Sequence, residues 1–139
     1  MHVHISTTAK LAALSAITLA CGESTLEALP ESPVLADVQT LVFEPACATA
    51  GCHDASAAGD LDLSTEDRSR ADLLDVTPLN GAARSSGWKR VVAGSRDDSF
   101  LYRKIVKPGL GEGAAMPIGV RLTEPYVGLI ERWIDQGAL

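Results

Sequence analysis

Seven consecutive residues constrain this chain more than any other part of it: Cys47-Ala48-Thr49-Ala50-Gly51-Cys52-His53. Two thiols this close suit a local disulfide, a metal site or the covalent attachment of haem. An imidazole directly after the second thiol discriminates among these. In haem attachment the thiols add across the two vinyl groups, and the adjoining histidine becomes the proximal iron ligand. The spacer has four residues, where haem attachment usually has a shorter one. All four are small, as a loop pressed against a porphyrin edge needs, and Gly51 opens backbone angles that other residues resist. A zinc site would need further nitrogen or sulfur ligands, and the only other histidines, His2 and His4, stand at the start of the chain. The other reading of the cluster is a Cys47–Cys52 disulfide with His53 on the surface.

The third cysteine, Cys21, has a different context. Lys10 precedes a short apolar stretch, Leu11 to Ala20, that ends in small residues. This is the outline of an export signal, too short to span a bilayer stably. Thr18-Leu19-Ala20-Cys21 resembles the signal of bacterial lipoproteins, in which the cysteine is lipidated and becomes the new N-terminus. Cleavage elsewhere, with Cys21 a free thiol or removed, is the alternative. The expected organisation is a signal peptide over 1–20, a lipidated Cys21 with a Pro- and Glu-bearing tether over 21–35, and one domain over 36–139. The chain would then be exported, at the periplasm or the cell surface, and held to a membrane by its lipid.

Helical periodicity dominates the domain. Tyr126, Leu129, Ile130, Trp133 and Ile134 form one apolar stripe, with Thr123 as N-cap, Pro125 in the first turn and Gly137 at the stop. A first helix is expected over Asp37–Glu44, ended by Pro45. Shorter ones are expected around Arg68–Leu74 and Asp98–Lys104, the latter capped by Asp97 or Asp98. Glycine-rich connections join them, and strand signals are poor. The fold class is therefore all-α with long loops. Aromatic residues supply only 4% of the chain, and a small core so short of large side chains gains from a staple or a cofactor. A net charge of −6 with no basic run argues against nucleic acid as a partner.

The stretch after Cys21 contains one methionine, Met116, in Gly113-Ala114-Ala115-Met116-Pro117-Ile118-Gly119. A methionine in a glycine-rich loop, with no apolar period around it, fits a core-filling role poorly. Methionine is a common second axial ligand of haem electron carriers. With Val42-Phe43 before Cys47, the Cys–Cys–His cluster, Gly59-Asp60-Leu61-Asp62-Leu63-Ser64, Val91-Val92-Ala93-Gly94, Ser99-Phe100-Leu101-Tyr102-Arg103-Lys104-Ile105, the Met116 segment and Trp133-Ile134-Asp135-Gln136-Gly137-Ala138, the chain resembles the bacterial c-type cytochrome domains of the cytochrome c-like superfamily. It departs from them at Ala93, where proline is usual, and in the length of the cysteine spacer.

The resemblance implies a small helical domain wrapped around one haem c, its first and last helices crossing. It implies thioethers at Cys47 and Cys52, axial ligation by His53 and Met116, and electron transfer to redox partner proteins, with no catalysis at the iron. Tyr126 and Trp133 would then be core residues of the last helix. Trp88 would cover the haem or pack in the core, and Lys89, Arg90, Arg103 and Lys104 would neutralise propionates or carry ordinary surface charge. Two other readings stay open: a haem-free extracellular binding or structural module with a Cys47–Cys52 disulfide, and a haem site whose Met116 a small ligand displaces.

Overall fold

A computed structural model of the chain describes residues 28–139. The expected signal, Cys21 and the first residues of the tether lie outside them. The regular elements among the described residues are all helices, joined by long loops, and only isolated bridges (Leu74 with Val91, Lys89 with Ser99, Val92 with Ser95) pair extended backbone.

Helix α1 covers Leu35–Val38 and continues without a break into a π-helix over Gln39–Cys47. Helical backbone thus begins at Leu35, expected to close the tether, and that residue is buried. Pro45 does not end the helix but lies inside it. In an α-helix a proline ring meets the carbonyl four residues back. The wider i→i+5 turn of a π-helix changes that spacing, and the helix runs on to Cys47.

Helix α2 covers Glu66–Leu73, and the Thr65 hydroxyl caps it by accepting from Arg68 N at 3.3 Å. Helix α3, Gly81–Ser85, falls where a connection was expected. Its cap is Asn80, whose side-chain oxygen accepts from Ala83 N at 2.9 Å. Helix α4 covers Phe100–Val106, and its N-cap is Ser99 rather than Asp97 or Asp98. The buried Ser99 hydroxyl donates to Ser95 O at 2.8 Å and accepts from Val92 N at 2.9 Å, while Asp98 accepts from the Ser95 hydroxyl. Helix α5 covers Glu124–Asp135, with Thr123 at the N-cap and Pro125 in the first turn.

The apolar stripe of α5 builds the core. Leu129, Ile130, Trp133 and Ile134 are fully buried, against Leu35, Val38, Val42 and Phe43 from α1 and the π-helix and Leu63, Leu73 and Val91 from the segments between. Trp133 meets Phe43 edge-on, ring centroids 6.3 Å apart at 85°, an arrangement worth about 1 kcal/mol beyond burial. Its indole N–H donates to Leu139 O at 3.1 Å, and the same oxygen accepts from Leu35 N at 2.6 Å. The first and last helical segments are thus packed together and tied at one acceptor. Tyr126 departs from the expected stripe: it lies one turn too far toward the helix start to reach the core and is 37% exposed.

Candidate functional site

The π-helix delivers Cys47 to the edge of the core, where it packs half-buried beside Ala48. There the chain reverses. Ala48 N donates to Phe43 O at 2.7 Å, closing the helix, and Cys52 N to Thr49 O at 2.9 Å. Gly51 takes a left-handed φ of +79°, and no atom lies within 4 Å of a Cβ built there. Glycine is therefore needed for its backbone angle and not for space. Asp54 braces the turn by accepting from Gly51 N at 3.3 Å and Ser56 N at 3.0 Å. His53 N returns to Cys47 O at 3.1 Å. The four-residue spacer is thus a closed loop that brings His53 back beside the start of the motif.

The two thiols are free and differ in surroundings: Cys52 is exposed and Cys47 half-buried. Burial, and secondarily the nearby charge of an ionised Cys52, push the Cys47 thiol up to about 11. Cys47 is a protonated thiol over the whole physiological range.

The His53 ring is half-buried, with Nδ1 3.3 Å from Leu61 O. A carbonyl oxygen accepts and cannot donate, so the proton of a neutral ring sits on Nδ1 and Nε2 keeps its lone pair. The main chain reinforces this, since Leu63 N donates to His53 O at 2.7 Å. Leu61 and Leu63 come from the Gly59–Ser64 segment, which these two bonds join to His53.

Met116 is half-buried in the connection between α4 and α5. Its N–H donates to Lys104 O at 2.8 Å. Lys104 Nζ donates to Glu112 O at 3.0 Å and to Ala114 O. Glu112 is only 5% exposed, and its carboxylate accepts from Arg103 Nε at 2.8 and 2.6 Å and from Gly109 N. A Cβ at Gly109 would collide with the Arg103 guanidinium. Desolvation raises the Glu112 carboxyl, but the Gly109 amide, Arg103 and Lys104 together outweigh it and hold it below the usual carboxylate range. The loop is thus fastened to α4 by the polypeptide's own contacts. Nearby Leu110, Ile118 and Val120 are exposed.

A groove of about 260 Å³ runs between Leu41, Pro45 and Ala46, just before Cys47, and Arg121, Leu122, Thr123 and Tyr126, just after the Met116 loop. It is smaller than the range of roughly 300–1,000 Å³ usual for ligand sites. Among the described residues no hydrogen bond joins the Met116 loop to the Cys47–His53 loop.

The candidate propionate partners are engaged elsewhere. Lys89 donates to Asp75 O and Thr77 Oγ1, Arg103 holds Glu112, and Lys104 holds loop carbonyls. Arg90 is buried on main-chain carbonyls. Trp88 is half-buried beside Phe100, with the Arg103 guanidinium 5.0 Å from its ring centre. Sequence reasoning missed Glu112. The available signal was a single carboxylate in a glycine-rich stretch shortly after Arg103-Lys104. It also missed the Leu61 carbonyl, for which no side-chain pattern gives a signal.

No family model, curated protein or solved structure matches this chain.

Proposed function

We propose that the protein is an electron carrier holding one haem c, with thioethers at Cys47 and Cys52, His53 as the proximal ligand and Met116 as the distal one. The observation that carries this reading is the hydrogen bond from His53 Nδ1 to Leu61 O. It leaves Nε2 as the ring's ligating atom and fixes the ring through the shell around it, as metal-ligating histidines require. The residues fit a covalently held haem: one oriented imidazole, a free thiol at Cys52 directly before it, a second at Cys47, and a thioether sulfur in a fastened loop. The groove is too small to contain a porphyrin, so covalent attachment would supply what burial does not. Exposed Leu110, Ile118 and Val120 are apolar surface that a cofactor or partner would cover.

Haem, when bound, supplies a one-electron iron couple whose potential the axial pair and the surrounding charge adjust. The chain's own residues do the rest. His53 would bind through Nε2 and the Glu112 lock limits the positions open to Met116; with both residues bound to it the iron would carry electrons and take no substrate, which is why we assign electron transfer and no enzymatic activity. Redox proteins are the partners, and nucleic acid is not. A lipidated Cys21 would hold the domain at a membrane on the exported side.

The test is an absorption spectrum of protein made in a host with haem-attachment machinery. We expect a pyridine haemochrome typical of two thioethers and a reduced form that does not bind carbon monoxide. Protein without haem and with a Cys47–Cys52 disulfide would replace this reading with a binding or structural module. Carbon monoxide binding to the reduced form would replace it with a ligand-responsive haem site.

A further inference from the structure

Arg90 is 5% exposed, yet none of the ion pairs among the described residues includes it, and the Asp72 and Asp60 charges act on it only at longer range. Its guanidinium instead meets main-chain oxygens: Nη1 donates to Asp72 O at 2.9 Å, and Nη2 to Gly59 O at 3.2 Å and Asp60 O at 2.6 Å. A guanidinium stays protonated when buried, and burying it is costly unless its donors are satisfied. What these bonds hold is a strained turn. Gly59 and Asp60 both adopt left-handed φ, +70° and +58°. For Asp60, which carries a Cβ, that conformation is unfavourable and persists only where the surroundings enforce it.

The next residue is Leu61, whose carbonyl fixes the His53 ring. The segment beyond it is held from the other side. Asp62 N donates to Asp72 Oδ2 at 2.8 Å, Gln39 Nε2 donates to Leu63 O at 3.0 Å, and the buried Ser69 hydroxyl holds Gln39 Oε1 at 2.7 Å. Leu61 therefore sits between two clamps, and among the described residues Arg90 is the one side chain that grips the chain before it and also reaches α2 at Asp72.

We infer that Arg90 is a positioning residue for His53: by holding the Gly59, Asp60 and Asp72 carbonyls it aims the Leu61 carbonyl at Nδ1 and so decides which ring nitrogen is left to bind. The inference deepens the haem reading, in which Nε2 meets the iron, but the tautomer belongs to the polypeptide and is measurable with no haem attached. A planar fork is suited to the task because it reaches carbonyls of two separate segments at once. A lysine has one donor centre and would satisfy only part of the set.

The experiment is nitrogen NMR of the His53 ring in the full chain, ¹⁵N-labelled and made without haem-attachment machinery, with signals assigned by their loss in His53→Gln. We expect the wild-type ring protonated on Nδ1, a severalfold gain of the Nε2–H form in Arg90→Gln, and an intermediate value in Arg90→Lys. Val42→Ala, a core truncation outside both clamps, controls for lost stability and should keep the wild-type tautomer. If Arg90→Gln does not fold, Arg90→Lys carries the comparison. A wild-type ring protonated on Nε2, or Arg90 variants that lose stability while keeping the wild-type tautomer, would overturn the inference. A tautomer that responds as expected, in a protein that takes up no haem even when made with the attachment machinery, would leave Arg90 in this role and remove the haem reading instead.

Discussion

Glu112→Gln separates a fastened methionine loop from one that merely lies against the protein. The carboxylate is 5% exposed and takes three contacts, two from Arg103 Nε and one from Gly109 N. A hydrogen bond to a charged group contributes about 1.5–3 kcal/mol, against about 1 for a neutral one. Glutamine keeps one neutral acceptor and brings an amide that faces the Arg103 or Gly109 donors. The Arg103 side chain is 38% exposed, so solvent screens part of the pair. The expected loss is about 2 kcal/mol. With a urea slope near 2 kcal/mol per molar, the unfolding midpoint should fall by about 1 M.

The effect should follow pH in one direction. The Glu112 carboxyl is depressed in the folded protein, so its contribution is complete above the ordinary carboxylate range and disappears as pH falls through the folded value. Urea titrations by circular dichroism should show the full difference at pH 7 and a closing gap as the pH drops below that range. In haem-bearing protein the far-red charge-transfer band of a His/Met iron should weaken over the same window. A midpoint difference below about 0.2 M at pH 7, or one that does not change with pH, would refute the reasoning.

In the full chain without haem, thiol alkylation at pH 8 should modify Cys52 well before Cys47. Raising a thiol from 9.0 to about 11 cuts its reactive fraction about 100-fold, and peptide mapping over time reads the order. Trp133→Ala should cost about 3–5 kcal/mol by denaturant unfolding, since the side chain is fully buried against Phe43 and its N–H is paired. Mass spectrometry of membrane-extracted protein should find a diacylated or triacylated Cys21, and a mature chain beginning at another residue would rule the lipid out.

The stripe of α5 was legible in the sequence because four of its members face one core and the signal is purely periodic. Tyr126 fits the same period yet escapes burial, because the first turn of α5 overhangs a shallow groove and not the core. Pro45 read as a terminator because the rule assumes α-helical spacing, which the π-helix does not have. Helix α3 was missed because its five residues carry no stripe, and only Asn80 marked its start. The cap of α4 was misplaced because Ser99 acts from a buried position, bonding to Ser95 and Val92 and not to the helix itself. In the candidate site the cysteines, His53 and Met116 stand out by residue type. Their supports do not: the Leu61 carbonyl is main chain, Arg90 sits between hydrophobic and charged neighbours with no motif, and Glu112 reveals its partners only once the loop folds back on α4.

The proposed electron carrier depends first on covalent haem at Cys47 and Cys52. That attachment is tested most directly by the intact mass of the purified chain after acid–acetone extraction, for wild type, Cys47→Ala, Cys52→Ala and the double variant. Wild type should keep the mass of one haem through extraction, each single variant should hold less haem or release part of it, and the double variant should keep none. Wild-type protein that gives up all its haem to extraction, or a double variant that still retains it, would contradict the assignment.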